Sequence, residues 1–113
     1  MAARNLLLDA PPYVVEQTVI GLGRNLRTAR LRRNLTIEQV AQKIGTGPRA
    51  VMDAEKGKLS TSVAVYAALL WTYDLLQPLS EVADPAQDSE GLTLDRLQGR
   101  ERARAPKGLD NDF

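Results

Sequence analysis

The chain has 113 residues, room for one small domain and a tail. It contains no cysteine and no histidine, which removes disulfides, thiol nucleophiles, the usual zinc sites and the commonest general base. Net charge is only +1, but Arg24 to Lys58 holds nine bases against three acids, Asp74 to Asp95 six acids and no base, and Arg96 to Lys107 five bases and one acid.

Hydrophobic residues make up 43% of the chain, so most of it can fold around a core, and the 4% of aromatics points to an aliphatic helical one. No apolar run approaches the roughly 20 residues that span a membrane. Leu6-Leu7-Leu8 is too short for a signal peptide and is followed by Asp9 and two prolines. A cytoplasmic protein is the expectation.

Residues 1–17 read as an N-terminal arm punctuated by Pro11-Pro12. Val15, Val19, Leu22, Leu26 and Ala29 form a helical stripe running into Arg33. The spacing predicts a helix over 22–33. The β-branched stretch 13–20 reads either as an earlier start of that helix or as a short strand. Gly21-Leu22-Gly23 is no nucleotide fingerprint, since Leu26 stands where the third glycine belongs.

The next stretch, residues 35–57, is the most strongly punctuated. Thr36 can cap a helix, with Gln39 completing a capping box. Ile37, Val40, Ala41 and Ile44 fall on one helical face, and Gly45 sits where that helix must stop. Pro48 fits the first position of a following helix, which Gly57 ends. Two short helices joined by a glycine turn are the layout of a helix-turn-helix, whose second helix enters the DNA major groove. The basic charge concentrates on the same stretch, as phosphate binding requires.

Ser62 is a plausible cap for a fourth helix with Val63, Tyr66, Ala67 and Leu70 on one face. Pro78 is expected to start a short fifth helix holding Leu79, Val82 and Ala83, and Asp84-Pro85 to close the domain. Residues 85–113 carry few large apolar groups and much charge, the composition of a flexible or weakly helical tail.

Leu26-x-x-x-Arg30-x-x-x-x-Leu35-Thr36, Val40-Ala41-x-x-Ile44-Gly45 and Glu55-x-Gly57 together resemble the lambda-repressor-like helix-turn-helix regulators, over about Val19 to Ala83. The resemblance implies an all-α DNA-binding domain of five helices at 18–84. It also implies an ion pair between Arg30, late in the first helix, and Glu55, ending the recognition helix. By the same likeness the base readers are Gly47, Pro48, Arg49, Met52 and Asp53. Arg49 suits either a guanine edge or a phosphate. Met52 suits a thymine methyl or plain packing, and Asp53 could accept from cytosine N4. Thr36 is a phosphate contact or simply a cap. Gly47 and Pro48 depart from the polar residues usual in the family.

Tyr66-Ala-Ala-Leu-Leu-Trp71-Thr-Tyr-Asp-Leu-Leu76 with Leu79-x-x-Val-Ala-Asp84-Pro85 is similar to short regulators paired with Hip-type serine/threonine kinases. The tail is similar too, from Asp88-Ser-Glu-Gly91-Leu-Thr-Leu94 through the basic run Arg100–Lys107 to Phe113. That likeness implies an antitoxin that represses its own operon and binds the kinase. A homodimer on a palindromic operator is expected, because symmetric half-sites match a two-fold dimer. Leu69, Trp71, Tyr73 and Leu76 lie off the expected core stripe and are the candidate dimer face. No catalytic constellation is present, and no metal or cofactor is expected. A plain repressor without a toxin partner, and an interaction adaptor that has lost DNA binding, are the alternatives.

Overall fold

The computed structural model describes residues 5–104, with side chains to residue 99. The end of the tail, with Lys107 and Phe113, lies outside the described residues. The elements in chain order are α1 (Leu6–Asp9), α2 (Tyr13–Arg32), α3 (Ile37–Ile44), α4 (Pro48–Glu55), α5 (Val63–Thr72), α6 (Gln77–Ser80), a 3₁₀ turn (Pro85–Gln87) and α7 (Ser89–Arg104). No strand occurs among the described residues, and the fold is all-α. None of their helices is long and apolar enough to cross a membrane. The chain divides into two compact units, residues 1–79 and 80–113.

In the first unit α2 runs unbroken from Tyr13, through the stretch that sequence left open between helix and strand. Its β-branched residues are accommodated, and the Thr18 hydroxyl donates to the Val14 carbonyl one turn back at 2.7 Å. The core is Leu26, Ala29, Val40, Ala41, Val51, Ala54, Tyr66, Leu69 and Tyr73. It draws on α2, α3, α4, α5 and the cap of α5, and burying each large aliphatic member stabilises by about 1.5–3 kcal/mol.

Local chemistry fixes the ends of α3 and α4. The Thr36 hydroxyl accepts from the Gln39 N–H at 3.0 Å, and the Gln39 side chain accepts from the Thr36 N–H at 2.9 Å. Gly45 takes a left-handed conformation, φ 81°, and Thr46 N–H donates back to the Ala41 carbonyl at 2.9 Å. Gly57 is left-handed beyond α4, with φ 71°. Asn34 and Asp74 take left-handed backbones after α2 and α5.

Two glycines make the packing of α2 on α4 possible. A Cβ on Gly23 would lie 2.5 Å from the Ala54 carbonyl oxygen, 2.6 Å from the Gly57 nitrogen and 2.8 Å from the Glu55 carbonyl oxygen. A Cβ on Gly57 would meet the backbone of Val19 and Ile20. The two backbones touch where the side chains are missing.

Helix α5 corrects the expected stripe. Its core face is Tyr66 and Leu69, continued by Tyr73 at its cap, whereas Val63 is 73% exposed. Leu69 and Tyr73, read as dimer-face candidates, are 0% and 1% exposed and belong to the core. Trp71 is exposed and Leu76 half-buried. Every residue of α5 from Val63 to Trp71 is apolar, so periodicity could not rank its faces.

In the second unit the sequence stretch read as a tail contains the sixteen-residue helix α7. The fifth helix is only Gln77–Ser80. Val82 is exposed and Ala83 takes a left-handed backbone with φ 62°.

Candidate nucleic-acid interface

The candidate site is built on α4. Its C-terminal end is held by a buried fork. Arg30 Nε donates to Glu55 Oε2 at 2.6 Å, Nη2 to Glu55 Oε1 at 3.0 Å, and Nη1 to the Leu35 carbonyl at 3.0 Å. The side chains are 8% and 6% exposed. The hydrogen bonds that Arg30 donates to the Glu55 carboxylate raise the Arg30 pKa above the ordinary value and outweigh the opposing effect of burial. One guanidinium thus ties α2, α4 and the turn before α3 together, which is the bidentate geometry arginine provides and lysine cannot.

A second arginine, which sequence reading did not single out, fastens the other side. Arg33 donates to the Ala29 carbonyl at 2.9 Å and to the Tyr73 carbonyl at 3.0 Å, and lies 5.5 Å from the Tyr73 ring centroid. It links the end of α2 to the end of α5. Its position just past the α2 stripe gave no sign of this, because the partner is forty residues away in sequence. Tyr66 adds a third tie, its hydroxyl donating to the Lys58 carbonyl beyond α4 at 2.7 Å.

The N-terminal end of α4 is open. Gly47, Pro48 and Arg49 are exposed, and Gly47 caps without a side-chain hydrogen bond. Pro48 occupies the first helical turn, where its missing N–H is harmless. The Arg49 side chain is 82% exposed. Met52, one turn on, is partly exposed. Asp53 is the exception among the expected base readers. Its carboxylate stands 3.6 Å from Arg49 Nε and 3.8 Å from Lys58 Nζ, so it is engaged within the protein. Lys58, absent from the sequence-derived site, enters it through this contact. Thr36 is exposed at the head of α3, and its hydroxyl is committed to the capping box.

A short helix anchored at one end, open at the other and following a glycine-stopped helix defines a helix-turn-helix protein of the DNA-binding regulator class. Residues 21–83 match the helix-turn-helix domain family, and the chain belongs to it. No curated protein and no solved structure matches it significantly.

Proposed function

We propose that the chain is a transcriptional repressor that binds a palindromic operator as a homodimer, with α4 in the major groove and Arg49 reading a base edge. The observation that carries this is the exposure of Gly47, Pro48 and Arg49 at the one end of α4 that the core does not hold. The basic excess between Arg24 and Lys58, nine bases against three acids with Arg30 taken up by Glu55 in the interior, favours phosphate binding. Trp71, 56% exposed with Lys43 Nζ 5.4 Å from its ring centroid, joins Val63 and Leu75 as solvent-facing apolar groups on and beyond α5. With Leu69 and Tyr73 in the core, these residues and Leu76 are the apolar groups offered for a dimer face. A gel shift on the DNA upstream of its own gene tests the reading, and absence of a shift there rejects it.

A narrower role as the antitoxin of a Hip-type kinase is supported by the Tyr66–Pro85 pattern and the acidic-then-basic order of residues 74–107. Deleting residues 86–113 should weaken kinase binding while leaving operator binding intact. Unchanged kinase binding would leave the plain repressor as the reading.

A further inference from the structure

We propose that Asp53 is a positioning residue that directs Arg49 to a base edge and away from the phosphate backbone; this rests on α4 being the recognition helix. Three charged groups meet at this point of the surface. Asp53 Oδ1 faces Arg49 Nε at 3.6 Å, and Oδ2 faces Lys58 Nζ at 3.8 Å. The Asp53 side chain is only 20% exposed, against 82% for Arg49 and 54% for Lys58. The carboxylate is therefore the more enclosed member and the two cations the more exposed ones. The Lys58 N–H also donates to the Asp53 carbonyl at 3.1 Å, which closes the loop after α4 onto the same residue.

The chemistry follows from which nitrogen is engaged. A carboxylate on Nε leaves both terminal Nη groups at the free end of the fork, and a guanine edge offers O6 and N7 to such a pair. A phosphate approaching Arg49 from the side would instead meet the Asp53 charge. Asp53 thus costs non-specific affinity and adds discrimination, the trade by which a repulsive element raises specificity. Because the Arg49 partner is largely solvated, the pair adds little to stability, about the weight of a surface ion pair. Its effect is on where Arg49 points.

The test is selection from a random duplex pool with the full chain, followed by affinities for the selected site and its single-base variants. The proteins are wild type, Asp53→Asn, Arg49→Ala, Arg49→Lys and the double variant Asp53→Asn/Arg49→Ala. Circular dichroism melting confirms that each is folded. Wild type should show a roughly five- to hundredfold preference at one base pair. Asp53→Asn should lose most of that preference and bind scrambled DNA more tightly. Arg49→Lys, which keeps the charge without the fork, should lose the preference too. In the Arg49→Ala background, Asp53→Asn should change no base preference. Retention of the preference in Asp53→Asn overturns the proposal, as does a shift of equal size without Arg49. Either result leaves DNA binding by α4 standing. Failure of the wild type to select any sequence rejects both.

Discussion

The two ends of α4 are built on opposite principles. At the C-terminal end Glu55 is buried in a two-bond fork with Arg30, and the backbones of Gly23 and Gly57 pack with no side chain between helices. At the N-terminal end Gly47, Pro48 and Arg49 face solvent with no side-chain cap. On the proposed reading the difference separates stability from recognition. Changes at the first end should unfold the domain, and changes at the second should alter binding without unfolding it.

The largest effect is expected from breaking the fork. Glu55→Ala leaves a buried guanidinium without its carboxylate and should cost about 3–5 kcal/mol in chemical denaturation. A double-mutant cycle with Arg30→Met should show strong coupling; additive losses would mean that the fork contributes nothing as a pair. Next comes Gly23→Ala. Its methyl would sit against three backbone atoms that cannot rotate away, so a loss of about 3 kcal/mol is expected. An unchanged denaturation midpoint would show that the two backbones do not touch.

At the open end Arg49→Ala should cost about 1–3 kcal/mol on the operator, while its melting midpoint stays at the wild-type value. A fall in melting temperature comparable with that of Glu55→Ala would abolish the division between the two ends.

The smallest effect concerns a group beside the fork. Burial, then the nearby Glu55 charge, raises the Tyr73 pKa above the ordinary phenol value, and burial raises that of Tyr66. A raised pKa means that the folded state favours the neutral phenol. That contribution is complete below the unfolded value of about 10 and is lost as pH climbs through the folded value. Stability should therefore decline above about pH 10. Tyr73 Oη is buried without a hydrogen-bond partner among the described residues, so Tyr73→Phe should change stability by less than about 1 kcal/mol and soften the alkaline loss. Equal alkaline sensitivity in the variant would remove Tyr73 from the account.

What sequence revealed follows the same split between local and distant causes. Helices α3 and α4 were legible because their ends are written in residues a few positions apart: Thr36 with Gln39, Gly45, Pro48 and Gly57. The Arg30–Glu55 partnership came from the family likeness, and spacing alone could not have given it. In α5 an all-apolar segment has no polar face to mark its outside, so the sequence does not show that Leu69 and Tyr73 face the core. Nothing near Gly23 in the sequence marks its role, since the backbone it touches lies over thirty residues away. The Arg49–Asp53 contact was within reach. The two residues are four apart on one helix, the spacing at which opposite charges meet.

If α4 is held by its C-terminal end and reads DNA with its N-terminal end, specific binding should depend on Arg49 and stability should not. The most direct measurement is the affinity of wild type and Arg49→Ala for the upstream operator and a scrambled duplex, between 50 and 200 mM salt. Wild type should prefer the operator and lose on the order of a thousandfold in affinity across that range, as 6 or more phosphate contacts require. Arg49→Ala should reduce the preference by about 1–3 kcal/mol, keep the salt dependence and melt at the wild-type temperature. Equal binding of both duplexes by wild type, or a preference untouched by Arg49→Ala, would contradict the account.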